Sequence, residues 1–329
     1  MSETLADGAG PVTEDDLNQA FAAHRRELTG FCYRMLGAGA EAEDAVQETM
    51  VRAWRAFGDF EGRSSLRSWL YRIANNVCVD MVRSPQRRAR PMEMGPAGST
   101  DAVLGEQLGE HMFVQPVPDS QVIDLDGDPA DVAAARETIR LAFVAALQHL
   151  PARQRSVLIL CEVLRWKAAE VAELLETSTA SVNSALQRAR ATLASVQGEA
   201  LDPRTDPDQA ELLAKYVDAF ERYDITALVS LLRDDVVLSM PPWDLWLQGP
   251  DDFAGWFLGQ GIVCKDGKLI PVDVNGSLGF ANYHKVAEGV WDAWAIQVID
   301  VADGKIIGHH NFIYPELFEA FGVPTRIEA

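Results

Sequence analysis

Asn183, Ser184, Gln187, Arg188 and Arg190 recur at spacings that place them together on the outer face of one helix, with Ser181 beside them. Amide and hydroxyl side chains can pair with base edges, and guanidinium groups with guanine or phosphate, so the chemistry available to this face is nucleic-acid recognition. Val182, Leu186, Ala189 and Leu193 form the apolar stripe behind it. Earlier in the chain, Asp44, Gln47, Glu48, Arg52 and Arg55 share the outer face of a helix whose inner face is Ala42, Ala45, Val46, Met50, Ala53, Trp54 and Phe57. Arg67, Arg72, Asn75, Asn76 and Arg83 lie outside a further helix lined within by Leu66, Leu70, Ile73 and Val77. A different chemistry is on offer near the C-terminus. Trp243, Trp246, Phe253, Trp256, Trp291 and Trp294 could line a pocket, with Asp244, Asp273, His284, His309 and His310 as candidate polar groups. A pocket carboxylate of raised pKa could shuttle a proton, as in an isomerase or cyclase, yet no single acid or base stands out. Tryptophans at strand spacing also read as core. His309 and His310 point opposite ways on a strand, so both cannot serve one site.

The elements that must hold these residues read as follows. Asp15 to Leu36 is a helix with Leu17, Phe21, Leu28, Phe31, Cys32 and Met35 inside, broken by Gly37 and Gly39. Gly58 ends the helix of the Asp44 face, and Ser64-Ser65 can cap the next. These helices form one module over residues 14–90, trailed by the basic run Arg83, Arg87, Arg88 and Arg90, which reads as solvated surface or as phosphate contacts. Residues 91–130 form an extended linker with short apolar islands at Phe113-Val114 and Val122-Ile123. Residues 131–198 are helical again. Ile139, Phe143, Leu147 and Leu150 fall on one helix, Pro151 opens the next, and a short helix from Ala168, a turn at Glu176-Thr177-Ser178 and a helix from Thr179 give helix-turn-helix spacing. After a linker around Leu201–Pro207, residues 205–329 start with helices over Ala210–Tyr223 and Ile225–Leu232. They continue as strands, with a hairpin expected at Asp303-Gly304.

The net charge of −20 is unevenly placed. Residues 14–90 and 131–200 are each net +1, whereas 91–130 holds eight acidic and no basic side chains and 205–329 is net −12. Near-neutral helical modules predict weak non-specific DNA binding by the free chain, since counterion release drives that affinity. Cys32, Cys78, Cys161 and Cys264 form no C-x-x-C pair, which argues against zinc and disulfides and for buried thiols. No metal or cofactor is expected. The polar, acidic start has no signal-peptide character, and no apolar run is long enough to span a membrane, so a soluble, cytoplasmic protein is expected.

EDAVQETMVRAWR followed by FEGRSSLRSWLYRIANN closely resembles the extracytoplasmic-function (ECF) class of bacterial RNA polymerase sigma factors. LPARQRSVLIL and WKAAEVAELLETSTASVNSALQRARATL resemble the minus-thirty-five reader of the same class, in the expected order and at the expected separation. The resemblance implies that Asp44, Gln47, Glu48 and Arg52 face the polymerase clamp. It implies that Arg72 and Asn76 contact the opened minus-ten strand, and that the Phe60–Ser65 loop, with Phe60, Ser64 and Ser65, pockets a flipped base. Trp69 is either a wedge or core. By position, Asn183, Ser184, Gln187 and Arg188 become base and phosphate contacts at the minus-thirty-five element, with Arg190 beside them. Several relatives carry Arg where this chain has Asn183 and Ala185, so its promoter preference can differ. The acidic linker would thread a basic channel of the polymerase. The tail resembles the SnoaL-like cone fold of polyketide cyclases and ketosteroid isomerases, through its opening helices, the MPPW stretch and DGKIIGHHNFIYPELFEAFGVP.

The fold expected is therefore multidomain: two all-α modules, the second a helix-turn-helix, then an α+β cone-shaped SnoaL-like domain. The function expected is that of an alternative sigma factor which performs no chemistry itself. Its partners would be core RNA polymerase and promoter DNA, with no membrane. The C-terminal domain would regulate it through a small-molecule or intramolecular ligand, Trp243, Trp246, Trp256, Trp291 and Trp294 being the candidate pocket. The alternatives are an isomerase or cyclase positioned by its helical half, and a plain helix-turn-helix repressor.

Overall fold

The computed structural model describes residues 13–82, 88–101, 104–196 and 207–329; Arg83, Arg87 and the linker expected around residues 201–206 lie outside them. Helix α1 (Glu14–Leu36) begins at a reciprocal cap: the Thr13 hydroxyl accepts from the Asp16 amide at 3.2 Å, and the Asp16 carboxylate accepts from the Thr13 amide at 2.8 Å. It stops at Gly37, whose φ of 80° suits a residue without a Cβ. Helix α2 (Gly39–Ala56) and helix α3 (Leu66–Met81) complete the first module, with the Ser65 hydroxyl capping α3 by accepting from the Ser68 amide at 3.1 Å. Leu28, Phe31, Cys32, Val46, Leu70 and Val77 are buried between the helices. The buried stripe of α2 is narrower than its periodicity suggests. Ala42, Ala45, Val46, Thr49 and Ala53 go inward, while Trp54 and Val51 remain 37% and 42% exposed. Phe57 falls in a 3-10 turn beyond the helix.

The stretch after Arg88 has little regular structure but is firmly anchored. Ala89 bridges to Phe113, the Gln115 amide donates to the Gly37 carbonyl at 2.9 Å, and α4 (Asp119–Val122) packs on α1. Phe113, Val114, Val117, Val122 and Ile123 are all buried, so the apolar islands are attachment points. The second module holds α5 (Pro129–Glu137), α6 (Leu141–Gln148), α7 (Ala152–Leu158), α8 (Ala168–Leu174) and α9 (Thr179–Val196). The single helix expected through Ile139 is broken at 138–140, where the Ile139 carbonyl accepts from another unit. Glu176, at φ 50°, makes the tight turn between α8 and α9.

The third unit opens with α10 (Pro207–Glu221) and α11 (Ile225–Ser230). It continues through β1 (Leu232–Ser239), β2 (Trp246–Gln248), α12 (Pro250–Leu258), β3 (Lys268–Val274), β4 (Ser277–Ala287), β5 (Val290–Ala302), β6 (Lys305–Phe312), α13 (Leu317–Ala320) and β7 (Arg326–Glu328). The strands form one sheet in the order β2-β1-β6-β5-β4-β3, with β7 on β5. β1 and β6 pair in parallel, with β2, α12 and β3 to β5 forming the crossover between them, while the other strand pairs are antiparallel. Register shifts at Asn282/Tyr283 and Asp300/Val301 bend the long strands around α10 and α12. The Asp303-Gly304 hairpin forms as expected, with φ values of 53° and 67°. Asn275-Gly276 makes a second turn of this kind between β3 and β4, at 51° and 68°. The chain is thus two helical modules followed by a cone-shaped α+β unit.

Candidate nucleic-acid interface

The outer face of α9 is open. Val182, Ala185 and Ala189 are buried, leaving Asn183, Ser184, Gln187 and Arg188 exposed along the opposite side. Arg190 is also exposed but is ion-paired with Glu162, in the π turn that follows α7. Four unpaired polar side chains on one helical face, held rigid by the turn at Glu176, suit the edges of a major groove.

The α3 surface is half covered. Phe60 lies 4.9 Å from Trp69, between ring centroids, and within 6.4 Å of Phe57; Trp69 is 5% exposed, which makes it core and not a wedge. Ser64 stands in the loop, and the hydroxyl of Ser65 is engaged as the cap of α3. Asn76 is exposed. Arg72 reaches Glu176 in the helix-turn-helix turn at 3.5 Å. Asn75, placed outside by periodicity, is buried: its amide oxygen accepts from the Ser156 hydroxyl at 2.5 Å. Arg67 sits over the Trp166 ring at 4.8 Å while its guanidinium pairs with Glu27 at 2.5 Å. Helix α3 therefore packs directly against α7 and α8. The basic run is not a phosphate strip where it is described. Arg88 is 7% exposed, paired with Glu41 and donating to the Phe113 carbonyl at 2.7 Å, and Arg90 pairs with Glu93 at 3.3 Å.

On α2, Asp44 and Gln47 are exposed, whereas Glu48 holds Arg52 at 2.7 Å and Arg52 reaches Asp80 on α3 at 3.0 Å. Val51 and Trp54, three residues apart on that helix, add exposed apolar surface, and of the two periodicity assigns Trp54 to the core.

All three units meet at one buried turn. The Asn275 side chain, 0% exposed, donates to the Tyr33 hydroxyl and to the Ile139 carbonyl, each at 2.6 Å, and accepts from the Val117 amide at 2.9 Å. Next to it the Gly276 amide donates to Asp119 at 2.8 Å, and Asp119 pairs with Arg136 at 3.3 Å. One hairpin of the C-terminal unit thus grips the first module, the linker and the second module together. The Asn-Gly signal for the turn is in the sequence; its partners are not.

The cone encloses a cavity of about 250 Å³. Trp243, Trp256 and Trp294 line it, together with Gln297 and Asn311. Trp246 does not line it and is bonded to the linker, and Trp291 stands apart under the Lys268 ammonium at 3.6 Å. His284 stacks on Trp294 at 4.1 Å, and burial brings its pKa down to about 4. His309 is fully buried behind the wall, where burial and the neighbouring His310 lower it to about 3. It shares a 2.7 Å hydrogen bond with Tyr216, whose hydroxyl donates to Gln297 at 3.1 Å. His310 points the other way, to Ser239 at 2.8 Å and Asp300 at 3.3 Å, as strand alternation requires. Among the described residues no Asp, Glu, His, Lys or Arg lines the cavity, and no cluster of His, Cys, Asp and Glu could hold a metal.

Comparison with known proteins agrees with this organisation. Residues 20–88 match the family model for Sigma-70 region 2, and residues 140–193 that for Sigma-70, region 4. The chain is 42% identical to the ECF RNA polymerase sigma factor SigG of Mycobacterium tuberculosis H37Rv, over 98% of its own length and 89% of that protein's. It is 28% identical to SigJ of the same organism, over 93% of this chain and 94% of the relative. The crystal structure of M. tuberculosis SigJ superposes with a TM-score of 0.61 at 26% identity, over 94% of this chain and 99% of that one.

Proposed function

The chain belongs to the extracytoplasmic-function (ECF) sigma factors of RNA polymerase, and on that premise we propose how its surfaces divide the work. It is an alternative sigma factor: it binds core RNA polymerase, recognises promoters and helps to open them. The exposed face of α9, with Asn183, Ser184, Gln187 and Arg188, reads the minus-thirty-five element, and Arg190 joins once it leaves Glu162. Arg72 and Asn76 on α3, with Phe60, Ser64 and Ser65 in the preceding loop, handle the minus-ten strand. Asp44, Gln47, Glu48 and Arg52, together with Val51 and Trp54, face the polymerase. It works where the polymerase is, in the cytoplasm; among the described residues no helix is long and apolar enough to cross a membrane.

The observation that carries the regulatory half of this reading is the contact between α3 and the helix-turn-helix module. Two elements about 25 base pairs apart lie ~85 Å apart on a duplex at 3.4 Å per pair, and helical modules roughly 30 Å across cannot span that distance while touching. The packed arrangement is therefore a resting state, and the Asn275-Gly276 turn is the clasp that keeps it closed. The cone regulates and does not catalyse. Among the described residues its cavity offers no carboxylate, and burial holds the Cys264 thiol on its wall up at about 12, so none of them is poised there as a base at neutral pH.

Run-off transcription with core polymerase tests this, comparing the full chain with one truncated near Asp202. The truncated chain should initiate more strongly at the same promoters. Equal initiation by both would remove the regulatory role, and no polymerase binding by either would remove the assignment of surfaces.

A further inference from the structure

The acidic linker is expected to enter the polymerase, yet here its first half lies across the mouth of the cone. The Trp246 indole donates to the Gly95 carbonyl at 2.9 Å, and the Gly98 amide returns a bond to the Trp246 carbonyl at 2.8 Å. Further along, the Trp243 indole donates to Gly105 at 3.0 Å, and the Leu108 amide to Pro242 at 2.9 Å. The approach is close: a Cβ on Gly98 would meet Leu245 at 2.6 Å, and one on Gly255 would meet Thr100 at 2.8 Å. Leu104 turns inward and supplies part of the cavity wall.

We infer that this cavity is a receptor site for a small, uncharged, largely aromatic molecule, and that residues 95–101 and 104–108 are its lid. The chemical class follows from the wall. A charge without a partner would be expensive to bury there, because Trp243, Trp256 and Trp294 supply ring faces and, among the described residues, no ionised side chain lines the wall with them. Gln260 in the described wall donates to the Thr100 carbonyl at 3.3 Å, and Gln297 and Asn311 are polar groups that can orient a ligand. Gln297 is 1% exposed, and its carbonyl is taken by Tyr216, leaving the amide N–H₂ as a donor. Asn311 uses its N–H₂ on His309 at 2.9 Å, leaving its oxygen as an acceptor. A hydroxyl or ketone on an aromatic ring meets one or both. The volume equals roughly eight waters at about 30 Å³ each, the size of a substituted one- or two-ring compound. Val263 lines the cavity and is 57% exposed, and Leu258 and Ile262 on the same segment are 67% and 48% exposed, which gives an apolar entrance.

The lid is built to be reversible. It belongs to a segment, 91–130, with eight acidic and no basic residues, and it docks on a unit of net charge −12, so charge opposes the contact that hydrogen bonds and Leu104 maintain. A bound ligand adds contacts to Leu104 and holds the lid down. Resting on the sigma-factor reading above, an occupied cavity withholds the linker from polymerase and lowers initiation.

The test uses the full chain with 1-naphthol and 1-indanone as uncharged probes and 1-naphthoate as the charged control. Tryptophan quenching should saturate with either uncharged probe, and amide hydrogen exchange in 95–101 and 104–108 should slow on binding. Leu104→Ala, on the lid and outside the core, should weaken binding about tenfold and abolish the protection. Failure of both uncharged probes to saturate, or naphthoate binding as tightly, overturns the receptor. Binding without slower exchange, or binding indifferent to Leu104→Ala, overturns the lid. Neither readout involves polymerase, so their failure leaves the sigma-factor reading intact. Run-off transcription with the bound probe, which should fall severalfold, tests the coupling; unchanged initiation overturns it.

Discussion

The two candidate DNA-reading surfaces are held in opposite conditions. On α9 the polar face points to solvent, and Asn183, Ser184, Gln187 and Arg188 are exposed. On α3, Asn75 is buried against Ser156, Arg67 lies on Trp166, and Arg72 is engaged by Glu176. The same packing that leaves one reader ready covers the other. Duplex recognition can proceed from a rigid exposed helix, whereas strand opening must first free α3. The difference places control on the minus-ten side, and the Asn275-Gly276 turn behind it is what a mutation should attack first.

Gly276→Ala should have the largest effect. Its φ of 68° is strained for any other residue, and the added Cβ would meet the Arg136 carbonyl at 2.4 Å. A loss of about 2–4 kcal/mol is expected for such a combination of strain and overlap. Thermal unfolding should fall by several degrees, and small-angle scattering should show a longer particle with α3 released. An unshifted melt with unchanged scattering would mean that the turn is not the clasp. Next comes Arg188→Ala on the open surface. Losing one base or phosphate contact should weaken the polymerase-bound form at the minus-thirty-five element by about 1–3 kcal/mol, with the free protein's shape untouched. Arg190→Ala should cost less, because Glu162 already competes for it. Equal losses from both would contradict the geometry of α9.

Acid should separate the cone from the helical modules. His309 is fully buried and neutral, its pKa lowered to about 3 by burial and by His310. The unfolded chain takes up a proton near the ordinary value of about 6.5. Below that pH the unfolded state binds more protons than the folded one, so stability falls as pH falls from about 6.5 towards 3. The loss from this one group should reach about 2 kcal/mol by pH 5. His284, lowered to about 4, adds to it in the same direction. Hydrogen exchange between pH 7 and pH 5 should accelerate in β5, β6 and α10 before α1 to α3, and His309→Gln should flatten that slope. Uniform acceleration across the chain would show that the acid response is global.

Local features of this molecule were legible in its sequence, and long-range ones were not. The span of α9, the turn at Glu176, the Ser65 cap and the Asp303-Gly304 hairpin follow from spacing, caps and turn residues that act within a few positions. Asn75 was placed outside because its partner, Ser156, is 81 positions away. The break before α6 belongs to the same class: the Ile139 carbonyl is turned towards Asn275, 136 positions on. Trp54 fits the apolar period of α2 but finds no neighbour to bury it. Trp246 and Trp291 have the same spacing and character as Trp243 and Trp294, yet only a folded sheet separates those that line the cavity from those that do not. The lid escaped entirely, because residues 95–101 and 104–108 carry no periodic apolar pattern and are held through the distant indoles of Trp243 and Trp246.

The smallest expected effect gives the finest test of the contrast between the two readers. Arg72 and Glu176 sit 3.5 Å apart with side chains 40% and 77% exposed, so their pairing is worth less than about 1 kcal/mol and is screened by salt. Glu176→Ala should therefore raise initiation only a few-fold at low ionic strength and not at all at high salt, because it frees Arg72 without removing it. Arg72→Ala breaks the same pair but also removes the group proposed to hold the opened strand, so it should lower initiation at both salts. A structural role for the pair would move both variants together. Opposite signs, with only the Glu176 effect fading in salt, would show that Glu176 occupies Arg72 as a stand-in for phosphate, and that the covered reader is held in part by mimicry of its own target.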